Sequence, residues 1–544
     1  MASAQADPEK RLEESRMALK GTHKDLAKAK ALLLEITQED KQPLTSLPLC
    51  YAYVYLGYIA DKEGKRQEAL FWYQKAIEIK EADGIAACAK AGLERPLTWI
   101  RHLDEGTAPP TIPFKRIEQI ARGYVASGEP PKDLRPAEAL TEEERQENFD
   151  VLCEAIDKYY AHFQIKSLNW QEVRDRYRSL LASITTTPDF YLLLFHLVNE
   201  LKDTHSSLHN YKPSSPAVGP GLMLDIFEDA PFVVAIAPES NAGAAGVELG
   251  SKIVEVDGMA VASKLEQLSR CLRACSSQRA FRRQAYRHLL AGEPGTIVNV
   301  KLLSPRGVSK EVILKRNAPI YLPQARKYPF DVAKQRFVHY GRHPSRLGYI
   351  HIESFNGREE IADEFDTALE SLRETPGLIL DIRDNQGGFG TAQPRIVGRF
   401  ITTAVLVATS YTRNGPGHGD FQKREDYFEP SGKWQYLSPV ALLVNDVTGS
   451  AADLFACYMR NSGRVATIGF TTHGNLSGVA VYAVLPCNLI VRISNGYICD
   501  AKGIPIELNG NEPDLVARPS VFDFLSGRDP VLDRAVAALR RETK

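Results

Sequence analysis

The sequence predicts a multidomain α/β protein. Its 544 residues exceed the length of one ordinary domain, since domains usually have about 100–200 residues. From residue 318 onward, short apolar runs alternate with amphipathic segments, as strands and helices do in an α/β layer architecture. Residues 216–316 instead contain short β-branched runs separated by glycine and proline, which predicts a small domain built mainly of strands.

Residues 1–103 are predicted to form a helical domain. Within it, residues 56–79 resemble one tetratricopeptide unit, because small and aromatic residues stand at that repeat's positions: Leu56, Gly57, Tyr58, Gly64, Ala69, Tyr73 and Ala76. A single helical hairpin cannot bury its apolar face, so the flanking helices must complete a bundle. Two interpretations stay open. The TPR-like bundle docks a partner protein or a second copy of the chain, or it is only a packing or dimerisation module.

Residues 104–140 are predicted to be a proline-rich linker. APPTIP and SGEPPKDLRP within it are poor in core-forming residues. We expect this segment to be semi-rigid and to contribute little to any core.

Residues 141–213 are predicted to form a helical cap that belongs to the same domain as the α/β segment from residue 318 onward. Apolar side chains recur at spacings of three and four from Phe149 to Phe163, which predicts one amphipathic helix. A second helix is predicted after Asn169 and a third from Pro188 to about Lys202. This third helix ends in the motif D-T-H-S at 203–206.

Residues 214–317 are punctuated like a PDZ domain. GPGLML stands where that fold has its carboxylate-binding loop, so Gly219, Gly221 and Leu222 are the predicted peptide-binding residues. Residues 260–292 are predicted to be a helical insertion. The resemblance implies binding of an extended peptide as an added strand, with its C-terminal carboxylate held by backbone amides.

Residues 318–544 are predicted to form the α/β core. Its predicted strands are short apolar runs at 347–352, 377–382, 441–444, 466–469, 479–485 and 489–493. Its predicted helices are 358–373, 391–401 and 450–461. Asp529 and Pro530 predict the N-cap and first turn of a closing helix.

Composition and charge argue against several functions. The formal net charge of -1 gives no reason to expect nucleic acid or an anionic membrane as a partner. No apolar run is long enough for a membrane span, and no signal-peptide pattern is seen, so a cytoplasmic protein is expected. The eight cysteines lack zinc or disulfide spacing. No metal and no cofactor are expected, because neither metal-ligand spacing nor a phosphate-binding glycine pattern occurs.

Ser450 stands between an apolar strand and a helix, in LLVNDVTGSAADLF. Amides at a helix start are unpaired and point outward, which suits a nucleophile whose attack generates an oxyanion, and Ala451 supplies one such amide. Serine is also a favoured N-cap, and this segment alone favours a capping role. A second apolar strand runs into a glycine-rich turn, where Gly387 or Gly388 offers another amide.

Four motifs occur in a fixed order: G-Y-I-H-I-E-S-F at 348–355, D-I-R-D-N-Q-G-G at 381–388, T-G-S-A-A-D at 448–453 and G-N-E-P-D at 510–514. The D-T-H-S motif precedes them, with the PDZ-like insertion between. Together they resemble the C-terminal processing, or tail-specific, serine peptidase family over about residues 141–530. The resemblance implies a ClpP/crotonase-like α/β peptidase core.

Two catalytic arrangements occur in this family. One pairs the serine with a lysine about 25 residues downstream, but that position is Asn475 here. The other, in tricorn-type members, is a tetrad of serine, histidine, a small hydroxyl and glutamate. The resemblance therefore implies the tricorn-like branch, with Ser450 as nucleophile, His205 as base, and Thr204 and Glu507 holding the imidazole.

Other residues compete for these roles. His473 is a rival base, because it lies in the loop after a predicted strand, and Glu512 is a rival acid. His205 also fits an ordinary helix-end histidine that interacts with the helix dipole.

The resemblance implies cleavage of polypeptides near their C-termini through an acyl-enzyme, with the substrate tail recruited by the PDZ-like domain. A non-catalytic alternative is open, because relatives of this fold bind hydrophobic ligands and PDZ-like modules also build scaffolds. The retained serine, histidine, glutamate and glycines favour the peptidase.

Overall fold

The computed structural model describes residues 26–38, 46–78, 117–120, 123–127, 134–212, 218–320, 328–478 and 480–542, together with isolated positions before residue 94. Most of the predicted helical stretch at 79–103 and the first part of the predicted linker lie outside the described residues. Within the described parts of the chain, no helix is both long enough and apolar enough to cross a membrane.

The described residues form helices α1 (Leu26–Gln38), α2 (Ser46–Lys62), α3 (Arg66–Ile77), α4 (Glu142–Tyr159), α5 (Trp170–Leu181), α6 (Thr187–Asn199), α7 (Val261–Ser269), α8 (Gln278–His288), α9 (Glu360–Ser371), α10 (Gln393–Gly398), α11 (Ala451–Asn461), α12 (Ile506–Asn509), α13 (Val521–Ser526) and α14 (Pro530–Glu542). Their strands are β1 (Ile117–Ile120), β2 (Gly123–Ser127), β3 (Ser207–Leu208), β4 (Val218–Gly219), β5 (Leu222–Phe227), β6 (Ala230–Ile236), β7 (Lys252–Val256), β8 (Met259–Ala260), β9 (Ile297–Leu303), β10 (Ser309–Lys315), β11 (Ala318–Pro319), β12 (Ala333–Lys334), β13 (Val338–Arg342), β14 (Gly348–Ile352), β15 (Leu378–Asp381), β16 (Val405–Arg413), β17 (Phe421–Phe428), β18 (Val440–Val444), β19 (Val465–Gly469), β20 (Ala480–Val484), β21 (Ile490–Ser494), β22 (Gly496–Cys499) and β23 (Leu515–Val516).

The N-terminal helices pack closely where the sequence has its small residues. A Cβ atom on Gly57 of α2 would lie 2.3 Å from the ring of Tyr73 on α3. The Tyr73 hydroxyl donates to Asp61 at 2.8 Å and joins the ends of the two helices. The missing side chain of Gly57 therefore lets the two helices approach closely.

A five-stranded sheet, in the order β1-β2-β20-β21-β3, packs against α4, α5 and α6 through an apolar core. Two of its strands lie within the predicted linker, which is a correction to that prediction. The short runs IEQI and GYVAS, hidden among prolines, form a hairpin whose second strand pairs with the open edge of β20.

A seven-stranded sheet, in the order β12-β13-β14-β15-β18-β19-β23, forms the centre of the last domain. The strands from β14 to β23 are parallel. Helices α9, α10 and α11 cover one face of this sheet and α14 covers the other. The neighbouring strands β15 and β18 are buried on both faces, which explains their almost uninterrupted apolar runs. Because they are parallel, the loops after both strands emerge at the same edge.

The third large sheet has the order β10-β9-β7-β6-β5, with β8 paired to β7. The helical insertion predicted at 260–292 is confirmed as α7 and α8, and α8 packs against the edge strand β5. These sheets and their covering helices confirm the mixed α/β, multidomain class.

Candidate active site

Ser450 begins the helix that follows β18. Its backbone has φ 53° and ψ −120°, a strained conformation for a residue with a Cβ atom. The side chain makes no capping hydrogen bond, so the capping hypothesis is wrong. Instead Ser450 Oγ lies 3.1 Å from Nε2 of His205, which is 245 positions earlier in the sequence. The two side chains predicted to meet are within hydrogen-bond distance.

Hydrogen bonds to two other segments hold the strained turn. The amide of Ser450 donates to Oδ1 of Asn475 at 2.8 Å, and the amide of Gly449 donates to the carbonyl of Asn385 at 3.1 Å. The buried carboxylate of Asp453 accepts the amide of Asn475 at 3.2 Å, and burial raises the pKa of Asp453 to about 7. Asn475, where lysine-dependent relatives would have their base, therefore positions the nucleophile's backbone.

Replacing Asn475 with alanine is expected to lower kcat for peptide hydrolysis by about 10- to 100-fold. The change removes the acceptor for the Ser450 amide, and a displacement of about 1 Å in a reacting group can cost 10²-fold in rate. The exposed Asn414, in the loop between β16 and β17, gives the matched control Asn414→Ala. Rates are compared together with Tm, and an unchanged kcat in a folded Asn475→Ala variant would contradict this role.

His205 lies in the turn between α6 and β3. Its amide donates to Oδ1 of Asp203 at 2.8 Å, while Oδ2 of Asp203 accepts the Ser206 hydroxyl at 2.6 Å. Burial, and then the charge of Arg492, lower the pKa of His205 to about 4, although Asp203 opposes this shift. The imidazole is therefore neutral at pH 7 and able to accept a proton.

Asp203 is the buried carboxylate beside the base. Burial alone would raise its pKa, but His162, His205 and nearby hydroxyls lower it well below its ordinary value. Asp203 is therefore an anion that favours the protonated form of His205. The sequence patterns predict no role for Asp203, although its position two residues before the base is a signal for one.

Thr204 does not hold the imidazole, which corrects the prediction. Its hydroxyl accepts the backbone amide of Ser276 at 3.0 Å, and its own amide donates to Ser276 Oγ at 3.0 Å. Consecutive side chains in a turn point in different directions, so Thr204 faces the segment before α8 while His205 faces Ser450. Nδ1 of His205 has no hydrogen-bond partner within the described part of the chain.

Glu507 is buried but does not contact the His205 ring in the described structure. Its Oε1 accepts a hydrogen bond from Nζ of Lys166 at 2.6 Å. The same oxygen lies 3.9 Å from Nδ1 of His162. Burial, followed by the charge of Asp203, raises the pKa of Glu507. Lys166 and His162 are not predicted from the sequence, because no local pattern signals a pairing across more than 300 residues.

The ligand atoms of His162, Asp203 and Glu507 all lie within 4.8 Å of one another, although no metal was predicted. The ammonium of Lys166, which is only 4% exposed, is already bound to this cluster. It pairs with Glu507, so a cation already occupies one oxygen of this donor set.

Neither His473, the rival base, nor Glu512, the rival acid, takes the place of the predicted residue. Nδ1 of His473 donates to the carbonyl of Asp446 at 2.8 Å, whereas the Ser450 hydroxyl is paired with His205. Glu512 is exposed, in contrast to the buried Glu507.

The glycine-rich turn after β15 lies directly against Ser450. A Cβ atom on Gly387 would lie 2.7 Å from the amide nitrogen of Ala451. The Gly387 amide already donates to Oδ1 of Asn385 at 2.9 Å, so it is not a free donor. No hydrogen bond between described residues uses the amides of Gly388 or Ala451. Two of the three predicted oxyanion donors are therefore available.

The loop predicted to bind a peptide carboxylate is buried at the start of β5. Gly221 has φ +76°, and its carbonyl accepts the amide of Ala237 at 2.7 Å, while Gly219 pairs with Ala318 in β4 and β11. Leu222 begins β5 and is buried. Arg283 of α8 donates to Asp225 of β5 at 2.8 Å and to Asp446, close to Ser450, at 2.6 Å.

Two family models match this chain. Peptidase family S41 matches residues 346–517, and the tricorn protease C1 domain matches residues 141–199. Tricorn protease homolog 1 of Streptomyces coelicolor is 25% identical over 417 residues, which cover 72% of this chain and 35% of that protein. The chain spans about a third of the length of the tricorn relatives it matches.

Shorter relatives and one solved structure are also similar. The chloroplastic C-terminal processing peptidase of Tetradesmus obliquus is 25% identical over 402 residues, which cover 71% of this chain and 80% of that protein. The crystal structure of mature CPAF has a TM-score of 0.60 at 14% identity, covering 74% of this chain and 98% of that chain. The latter likeness concerns the fold.

Proposed function

Because residues 346–517 form a peptidase family S41 domain, preceded by a tricorn protease C1 domain at 141–199, we propose that this chain is a serine endopeptidase that cleaves polypeptides near their C-termini. The observation that carries the proposal is the 3.1 Å separation between Ser450 Oγ and His205 Nε2. The unengaged amides of Gly388 and Ala451 beside this pair support it.

In the acylation step, Nε2 of His205 accepts the Ser450 proton as Oγ bonds to the scissile carbonyl carbon. The carbonyl π electrons move to oxygen, and the amides of Gly388 and Ala451 donate to the resulting oxyanion. When the tetrahedral intermediate collapses, the C–N bond breaks and His205 returns the proton to the leaving amine. Water then attacks the acyl ester by the same route and releases a carboxylate and free Ser450.

The acids act on the base rather than on the substrate. We assign two roles to Asp203. It orients His205 by accepting the hydrogen bond of the His205 backbone amide, and its negative charge stabilises the imidazolium. Glu507, the acid that the family pattern implies, does not contact His205. It acts indirectly, through its contacts with Lys166 and His162. Thr204 fixes the turn through Ser276.

The PDZ-like sheet is proposed to recruit the substrate tail. Strand β5 is the edge of its sheet, and α8 packs against it through the Arg283–Asp225 contact. An extended peptide can therefore add to β5 as a further strand if α8 moves away. The ClpP/crotonase-like core, a TPR-like docking surface and a cytoplasmic location belong to the same proposal. The predicted domain limits belong to it as well, apart from the linker, in which β1 and β2 lie.

Covalent labelling separates the peptidase from a non-catalytic binder. A fluorophosphonate probe reacts with an activated serine, so the wild-type chain is expected to be labelled and the Ser450→Ala variant is not. Ser179→Ala, at an exposed serine on α5, is the matched control and should label like the wild type. Unlabelled wild-type protein that still binds peptides would favour the binder.

A further inference from the structure

An unpaired arginine lies next to the proposed base. The Cα atom of Arg492 in β21 is opposite that of Ser207, which is two residues after His205. Side chains alternate along a strand, and both neighbours of Arg492 point into the apolar core. Arg492 therefore projects from the opposite face of the sheet, on the side where Tyr482 is its cross-strand neighbour.

A second arginine reaches the same region from the segment before α8. The guanidinium of Arg273 donates to the backbone carbonyl of Thr204, the residue before His205. Burial lowers the pKa of Arg273, the charge of Asp203 opposes this, and the charge of Arg492 lowers it further, so the two arginines act on each other. Both arginines also oppose protonation of His205.

Among the described residues, the two cations have no anionic partner of their own. Neither arginine forms an ion pair there, and Nε of Arg492 is buried without a hydrogen-bond partner. Asp203, the nearby acid, is already bonded to the His205 amide and to Ser206. Like charges held close together are unfavourable unless an anion joins them, and buried donors are normally satisfied.

We propose that Arg492 and Arg273 form an anion subsite that binds a carboxylate of the polypeptide substrate. The inference rests on the proposed peptidase function and defines which substrates the cleft prefers. A guanidinium binds a carboxylate through paired, charge-assisted hydrogen bonds. The carboxylate is either the C-terminal α-carboxylate or an Asp or Glu side chain. Once bound, it cancels positive charge that opposes proton transfer to His205.

The test compares quenched fluorescent peptides that differ in one group. One peptide ends in a free carboxylate, the second ends in an amide, and a third set keeps the amide but has Glu in place of Gln at successive positions. For the wild type we expect kcat/KM to be about tenfold higher for the peptides that place a carboxylate in the subsite. Preference for the first peptide identifies the chain terminus, and preference within the third set identifies an acidic side chain.

Variants then assign the preference to the arginines. In Arg492→Gln the ratio of kcat/KM for the carboxylate peptide to kcat/KM for its uncharged match is expected to fall to about one. Arg492→Lys should keep part of this preference. Arg273→Gln is a second variant, should Arg492→Gln fail to fold. Arg534→Gln on α14 loses the same charge at an exposed position and should keep the full ratio.

Two results would overturn the subsite: a wild type that cleaves all matched peptides equally, or folded Arg492→Gln and Arg273→Gln variants that both keep the ratio. Fluorophosphonate labelling of Ser450 needs no carboxylate, so it distinguishes this failure from a failure of the peptidase function. Labelled protein without carboxylate preference refutes only the subsite.

Discussion

Ser450→Ala is expected to lower kcat for peptide hydrolysis by about 10⁶-fold, the loss typical when a serine nucleophile is removed. The variant has no atom that can form the acyl-enzyme. What activity remains would come from substrate binding and from oxyanion stabilisation by Gly388 and Ala451, which the substitution leaves in place. Initial rates on a fluorogenic peptide, measured over long incubations with highly purified protein, give the ratio.

The fold of the Ser450→Ala variant is expected to be intact, because the Ser450 side chain makes no capping bond and, among the described residues, its one polar contact is with His205. A Tm within a few degrees of the wild type is the control. Hydrolysis at more than about one tenth of the wild-type rate would rule out Ser450 as the nucleophile.

His205→Gln is expected to lower kcat by a comparable factor, since the serine and its base act as a unit. Glutamine can still hydrogen-bond to the Ser450 hydroxyl but is not a base. In this variant, labelling by a fluorophosphonate should decrease along with the rate of peptide hydrolysis. His473→Gln, at the other histidine considered as base, is the control and should keep most of the activity.

The pH profile of the wild type adds a second test of the base. The pKa of His205 is lowered from its ordinary value of 6.5 to about 4, so the ring stays neutral well below the pH at which a free histidine protonates. The acid limb of kcat/KM for an uncharged peptide is therefore expected near pH 4, with activity rising above it. A limb near pH 6.5 would contradict the buried environment of His205.

The free energy of unfolding should also depend on pH through the lowered pKa of His205. Between pH 4 and 6.5 the unfolded chain binds more protons at position 205 than the folded chain does. This group therefore contributes stability that is present above pH 6.5 and lost as pH falls towards 4. Asp453 works in the opposite direction. Its pKa is raised from 3.8 to about 7, so its contribution is present below pH 3.8 and lost as pH rises through 7.

Residue periodicity was enough to locate most elements. The six predicted strands of the last segment correspond to β14, β15, β18, β19, β20 and β21, with ends that differ by at most one residue or so. Periodicity did not reveal that β20 and β21 leave the seven-stranded sheet to pair with β2 and β3, because strand pairing depends on the whole fold. The charged hairpin strand β17 was missed, since its exposed sequence FQKREDYF has no apolar alternation.

The site was predictable to the extent that short motifs encode it. The motifs brought Ser450 and His205 together across 245 positions, and the parallel pairing of β15 with β18 explains why the glycine turn lies beside them. Side-chain partners were not encoded locally. Thr204 was assigned to the ring but binds Ser276, and the contact of Lys166 with Glu507 joins residues 341 positions apart.

Trapping the covalent intermediate tests the central claim most directly. The protein is mixed with an activated ester that deacylates slowly, quenched with acid during turnover, digested and analysed by peptide mass spectrometry. The proposed mechanism requires the acyl mass on the peptide that contains Ser450 in the wild type, and its absence in His205→Gln. An acyl group on another residue, or continued peptide cleavage with no adduct at Ser450, would contradict it.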